Sequence, residues 1–76
     1  MSDPAPEGPR VVVRVNGVTR ALAAGTTVAD LISDLGRGPR GIAVAVNLEV
    51  VSRSSWEAAV LREGDRVELL SAAQGG

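Results

Sequence analysis

The sequence contains no cysteine, histidine, phenylalanine or tyrosine, and Trp56 is its only aromatic residue. Cysteine and histidine supply most ligands of zinc, iron–sulfur and haem centres, so the composition excludes such sites within one chain. It also excludes Cys–His and Ser–His–Asp nucleophile systems and any disulfide bond. We therefore expect no catalytic residue, no metal site and no cofactor bound by this chain.

Lysine is absent too. The sequence contains 8 arginines and 9 acidic residues, which gives a net charge of −1. This balance disfavours nucleic-acid binding, which needs a clustered basic face. No apolar run approaches the roughly 20 residues of a membrane span. The polar opening Met1-Ser2-Asp3-Pro4 is unlike a signal peptide. We expect a small cytoplasmic protein that is a monomer when free.

The chain of 76 residues has room for a single domain. Residues 1–9 hold most of the prolines and no hydrophobic pattern, so they are predicted to form a disordered lead. The predicted domain covers residues 10–72, and residues 73–76 form a flexible tail.

The domain is predicted to open with a β-hairpin. Val11, Val13 and Val15 share one face of the first strand. Asn16-Gly17 between two β-branched runs is a strong hairpin signal, because a type I′ turn needs two positive φ angles.

A helix is predicted to follow this hairpin. Thr27 can cap its first turn, with Asp30 at the reciprocal capping-box position. Gly36 suits the left-handed residue that ends a helix. Between these signals lies one apolar stripe at helical spacing, formed by Val28, Leu31, Ile32 and Leu35.

The second half predicts further strands around this helix. In residues 42–46 the large side chains should face the helix and the alanines should face away, before a turn at residues 47–49 and a short strand at Val50-Val51. Residues 52–57 suit a single capped turn in which Trp56 plugs the core. A turn at 63–65 leads to a final strand, with Val67 and Leu69 inward, which should lie parallel to the first strand in the middle of the sheet. The fold class is therefore α+β: a β-grasp, or ubiquitin-like, mixed sheet of four to five strands packed on one main helix.

The candidate reactive group is the terminal carboxylate of Gly75-Gly76. A terminal carboxylate is ionised and unreactive at neutral pH, but adenylation by an ATP-using partner makes it an electrophile. Glycines without Cβ can enter a narrow active site in any backbone conformation. A frayed glycine end is the alternative.

Several motifs together resemble the ThiS family, the ubiquitin-like sulfur carriers of thiamine biosynthesis. They are Val15-Asn16-Gly17, Gly25-Thr26-Thr27-Val28-Ala29-Asp30-Leu31, Val44-Ala45-Val46-Asn47, Val51-Ser52-Arg53-Ser54-Ser55-Trp56, Glu63-Gly64-Asp65-Arg66-Val67-Glu68 and Gly75-Gly76. Arg53 and Trp56 favour this family over the small subunit of molybdopterin synthase, which is typically richer in Phe. The lead and the Ala72-Ala73-Gln74 approach to the glycines depart from the family pattern.

The resemblance implies a mechanism in which the chain is a co-substrate rather than an enzyme. A ubiquitin-activating-like adenylyltransferase would use ATP and magnesium to adenylate Gly76, with Gly75 giving access to its active site. Sulfur from a cysteine desulfurase or a rhodanese-type persulfide would displace AMP and leave a thiocarboxylate. Thiazole synthase would then transfer that sulfur into the thiazole of thiamine.

A partner-binding face is also predicted, on the side of the sheet away from the helix. Small and apolar side chains bordered by arginines suit protein contacts. We call this set the docking face: Val12, Arg14, Ala43, Ala45, Arg66, Glu68 and Leu70.

Three other functions stay open at this point. The chain could carry sulfur for molybdopterin, cysteine or tungsten-cofactor biosynthesis. It could be a protein modifier conjugated through Gly76 to lysines. It could be a β-grasp binding module that does not use its tail.

Overall fold

The computed structural model describes residues 8–36 and 41–71. Most of the predicted lead, residues 37–40, residue 72 and the predicted tail therefore lie outside the described residues. At the domain's start, the carbonyl of Pro9 accepts a hydrogen bond of 3.0 Å from the backbone N–H of Ala24.

The predicted hairpin is confirmed. Strand β1 (Arg10–Val15) pairs antiparallel with β2 (Val18–Ala23), and Val15 lies opposite Val18. The turn residues have the two positive φ angles that a type I′ turn needs, 50° at Asn16 and 85° at Gly17.

Helix α1 (Val28–Asp34) begins with the predicted capping box. The Thr27 hydroxyl oxygen accepts from the Asp30 N–H at 3.1 Å, and Asp30 Oδ2 accepts from the Thr27 N–H at 3.1 Å. Beyond Leu35, Gly36 has the left-handed φ of 75° expected there. Three members of the predicted stripe are buried, and Leu35 packs against them at the edge of the core.

Strand β3 (Ile42–Val46) and strand β4 (Glu49–Val51) form a second antiparallel hairpin. Two predictions are corrected here. Glu49 belongs to β4 rather than to the turn, because it pairs with Val46. The 3₁₀ turn Arg53–Ser55 has no side-chain cap, because the Ser52 hydroxyl lies 3.3 Å from the Ser55 hydroxyl and bonds no N–H of the turn.

Strand β5 (Arg66–Ser71) lies at the centre of a five-stranded sheet of order β2-β1-β5-β3-β4. It runs parallel to β1 and antiparallel to β3, so the β-grasp prediction is confirmed. The core lies between the sheet and α1 and is closed by Trp56, whose Nε1 donates to the Val51 carbonyl at 3.0 Å. The buried apolar residues are Val13, Val15, Val28, Leu31, Ile32, Val44, Trp56, Leu61, Val67 and Leu69.

Candidate functional site

The candidate site is the carboxyl end of β5 together with the sheet face beside it. Neighbouring strands flank β5 on both sides, and the strand ends at Ser71. Gly75 and Gly76, the predicted access and reaction positions, lie outside the described residues. The described structure therefore shows the central strand that precedes these glycines, as far as Ser71.

The docking-face residues all lie on the side of the sheet away from α1. On each of the three strands they alternate with buried residues, such as Val13, Val44 and Val67. The register brings them together across the strands, with Arg14 opposite Arg66, Ala43 opposite Leu70 and Ala45 opposite Glu68. The structure thus gathers the predicted set into one continuous surface.

The apolar residues of this surface lie on both sides of its charged residues. Val12 lies beside the chain just before β5, Leu70 lies near the end of β5, and the Arg14–Arg66 pair lies between them. Leu70 is 67% exposed and Val12 is 41% exposed, whereas Ala45 and Glu68 are half-buried. Beside β5 is an open groove of about 520 Å³. Its lining consists of Arg14, Asn16, Gly17, Arg66, Glu68 and Leu70. Arg14 and Arg66 outnumber Glu68 in this groove, so its charge favours a partner surface that supplies acidic groups.

The sequence prediction missed one apolar member of this surface. Val50 is 82% exposed and lies directly opposite Ala45, so its side chain points to the same side of the sheet. The strand that carries it has only three residues, too few for an alternation pattern to assign its faces.

Two asparagines, Asn16 and Asn47, hold β5 from opposite sides. The sequence placed both in turns and in family motifs but predicted no contact of either with the last strand. Asn16 Oδ1 accepts from the Leu69 N–H at 2.9 Å, and Asn16 Nδ2 donates to the Leu69 carbonyl at 3.4 Å. Asn47 Oδ1 accepts from the Arg66 N–H at 3.0 Å, and its Nδ2 donates to Asp65 Oδ1 at 2.9 Å. These contacts join residues distant in sequence, which is why local patterns do not show them.

A second groove, of about 560 Å³, lies on the helix side between α1 and the 3₁₀ turn, with Ala29, Ser33, Arg53 and Glu57 in its lining. It opens on the other side of the sheet from the docking face. Within residues 8–36 and 41–71, no helix is long and apolar enough to cross a membrane.

Comparison with known proteins gives a family match. The profile of the ThiS family matches residues 13–76. The sulfur carrier protein ThiS of Escherichia coli is 35% identical over 54 residues, which is 71% of this chain and 82% of that protein. The crystal structure of a thiamine biosynthesis protein (ThiS) from Geobacter metallireducens superposes with a TM-score of 0.74 at 30% identity. That superposition covers 87% of this chain and 100% of the other.

A relative of a different kind is a thiazole synthase of Paramagnetospirillum magneticum. It is 37% identical over 62 residues, which is 82% of this chain. The chain spans about a fifth of that relative's length, 19%. A segment similar to most of this chain is therefore part of a much longer thiazole synthase.

Proposed function

This chain belongs to the ThiS family, and on that premise we propose that it is a sulfur carrier of thiamine biosynthesis, charged at Gly76. The observation that carries the proposal is the extent of the family match, which includes both Gly75 and Gly76 as well as the domain that presents them. The chain acts as a co-substrate that enzymes charge and discharge.

The first step is activation of the Gly76 carboxylate. A ubiquitin-activating-like adenylyltransferase, with ATP and magnesium, joins the carboxylate to the α-phosphate of ATP and releases pyrophosphate. The resulting acyl-adenylate is electrophilic, whereas the free carboxylate is not. Gly75, without a Cβ, allows the tail to lie extended in a narrow active site.

The second step places sulfur on the same carbon. The terminal sulfur of a persulfide, supplied by a cysteine desulfurase or a rhodanese-type protein, attacks the acyl carbon and AMP leaves. A thiol then attacks the donor sulfur of the acyl disulfide, which forms a new disulfide and releases the Gly76 thiocarboxylate. These partners belong to the cytoplasm, where we place the chain.

The proposed acceptor of the sulfur is thiazole synthase. The thiazole synthase relative supports this choice, because a segment similar to this domain is covalently joined to that enzyme's chain. A carrier segment fused to its acceptor has a high effective concentration at the acceptor's active site.

The docking face is the proposed contact surface for these partners. Exposed Leu70 and Val50 supply apolar area, and Arg14 and Arg66 supply positive charge beside it. Apolar side chains beside charged groups are the usual composition of a protein interface. The face also adjoins β5, so a partner bound here lies next to the point where the tail begins.

Reconstitution of sulfur transfer tests the proposed function. Thiazole formation is measured with the adenylyltransferase, ATP, a persulfide donor, thiazole synthase and its other substrates. We expect product with the full chain and none with a variant lacking Gly75 and Gly76. Equal product from the two chains would contradict the proposal, and conjugates of the chain with other proteins would indicate a protein modifier instead.

A further inference from the structure

Strand β5 extends further than its pairing with β1. Strand β1 lies beside β5 only at Arg14 and Val15, which pair with Arg66 and Val67. The backbone N–H of Asn16 then donates to the Val67 carbonyl at 2.9 Å, and the chain turns away into the hairpin. From this point β5 has no β1 backbone beside it, although the strand runs on to Ser71.

The side chain of Asn16 occupies the place of the missing strand residue. Its amide bonds both backbone groups of Leu69, accepting from the N–H at 2.9 Å and donating to the carbonyl at 3.4 Å. Leu69 is only 6% exposed, so its N–H has little access to water and would be costly to leave without a protein acceptor. The carboxamide thus continues the β1–β5 ladder past the end of β1.

Asn47 provides an internal comparison at the other end of the same strand. Both asparagines occupy the first turn position of a hairpin with positive φ, 50° at Asn16 and 53° at Asn47. Both also donate a backbone N–H to β5 or its start, to Val67 and Arg66 respectively. The difference is position, because the Asn47 side chain holds the entry to β5 and the Asn16 side chain holds its exit.

We infer that Asn16 is a positioning residue for the sulfur-carrying tail. This inference rests on the proposed function. Gly76 lies five residues beyond Ser71, so the order of the last β5 residues sets the point from which the chain continues to Gly76. A strand that frays back to Val67 adds residues that must be ordered when Gly76 enters an active site, and this raises the free-energy cost of binding.

The substitution Asn16→Gly removes the two hydrogen bonds between the Asn16 side chain and the Leu69 backbone, which we call the clamp, and leaves the turn intact. Glycine adopts the positive φ of this position without strain, and Gly-Gly is a good type I′ turn. Asn47→Gly is the matched control, because it makes the same change at the entry to β5. Asn16→Asp is the conservative variant, since its carboxylate keeps the acceptor for the Leu69 N–H.

Hydrogen exchange measures the clamp directly. We expect Asn16→Gly to speed exchange of the Leu69 amide by about tenfold, the effect of losing one to two hydrogen bonds. In Asn47→Gly the Leu69 amide should exchange at the wild-type rate, while the Arg66 amide becomes faster. Unchanged exchange of Leu69 in Asn16→Gly would overturn the inference.

Steady-state adenylation with the ubiquitin-activating-like enzyme, ATP and magnesium measures the consequence for the tail. For Asn16→Gly we expect KM for the carrier to rise by about threefold to tenfold with kcat nearly unchanged, because the ordering cost falls on binding. Asn16→Asp restores only the bond from the Leu69 N–H and should recover part of the loss, and Asn47→Gly should match wild type. Equal KM changes in the two glycine variants, or no change in Asn16→Gly, would overturn the positioning role. Failure of the wild-type chain to be adenylated would instead contradict the proposed function, and the exchange experiment would still decide whether Asn16 holds β5.

Discussion

Leu48 occupies a backbone conformation that favours glycine. It is the second residue of the β3–β4 turn, with a φ of 73°, and its side chain is 76% exposed. A left-handed conformation costs a residue with a Cβ roughly 1–2 kcal/mol, and so exposed a side chain recovers little of that through burial. The position therefore carries strain that the fold does not require.

We predict that Leu48→Gly raises the free energy of unfolding by a few tenths of a kcal/mol to about 1 kcal/mol. Relief of the left-handed strain exceeds the added freedom of glycine in the unfolded chain. Urea unfolding followed by the fluorescence of Trp56, the only aromatic residue, measures the change.

Leu48→Ala is the control for that prediction, because it shortens the side chain but keeps the strained Cβ. It should leave stability near that of the wild type. A loss of stability in Leu48→Gly, or an equal gain in both variants, would show that the turn is not strained at this residue.

The two hairpins show which features of a turn can be predicted from its residues alone. Asn16-Gly17 predicted its turn correctly, because both residues tolerate positive φ. Asn47-Leu48 adopts the same conformation without a glycine, so the sequence indicated a turn there but not that Glu49 already belongs to β4. The bonds from both asparagines to β5 depend on tertiary contacts, which no local pattern contains.

At the scale of elements, α1 depends on its capping box. A helix of seven residues leaves most of its backbone groups near an end, where side chains must satisfy them. Thr27 also belongs to an isolated bridge with Val60, so the helix start is fixed to the loop before β5. Loss of the cap should therefore lower the free energy of unfolding of the whole domain.

We predict that Thr27→Ala lowers the free energy of unfolding by about 1 kcal/mol. The Asp30 N–H would lose its acceptor, the Thr27 hydroxyl oxygen at 3.1 Å. Chemical unfolding measures the loss. Thr27→Ser keeps a hydroxyl at the same place and should retain most of the stability, and equal losses in the two variants would rule out the cap as the cause.

The helix and strands that have a clear hydrophobic periodicity or a specific capping motif could be predicted from the sequence. The segments that connect them were less predictable. The stripe of α1 and the alternation of β1 each report one buried face, which is enough to assign helix and strand. Leu61 is 2% exposed and had no predicted role, because it lies in a segment without periodicity. The capped turn predicted for residues 52–57 has no side-chain cap, because the Ser52 hydroxyl lies beside other hydroxyls instead.

In the molecule as a whole, the two faces of the sheet have different roles. One face packs on α1 and makes the core, and the other exposes the docking face next to the end of β5. The sequence predicted that β5 lies parallel to β1 in the middle of the sheet, and the alternation of side chains placed Val12, Arg14 and Leu70 on its outer side. The contribution of Val50 appeared only when the register placed it opposite Ala45.

We predict that Leu70→Asp weakens binding of the carrier to the adenylyltransferase by at least tenfold, because it puts a charge into the apolar part of the docking face. The domain should stay folded, because Leu70 is 67% exposed. Titration calorimetry measures the affinity, and Trp56 fluorescence checks the fold.

The matched control is Val18→Asp, an equal change at a residue that is 58% exposed. Val18 lies opposite Val15, whose side chain is in the core, so it does not point to the docking face. Val18→Asp should bind like wild type. Unchanged binding by Leu70→Asp would mean that the docking face is assigned to the wrong surface.

Because this chain has no thiol, we propose that it carries sulfur on its backbone, at Gly76. The most direct test of this claim is the intact mass of the chain after incubation with the adenylyltransferase, ATP, magnesium and a persulfide donor, followed by fragmentation. We predict exchange of one oxygen for one sulfur, localised to Gly76, and no exchange when ATP is omitted. An unchanged mass, with enzymes that do convert another ThiS carrier, would contradict the claim.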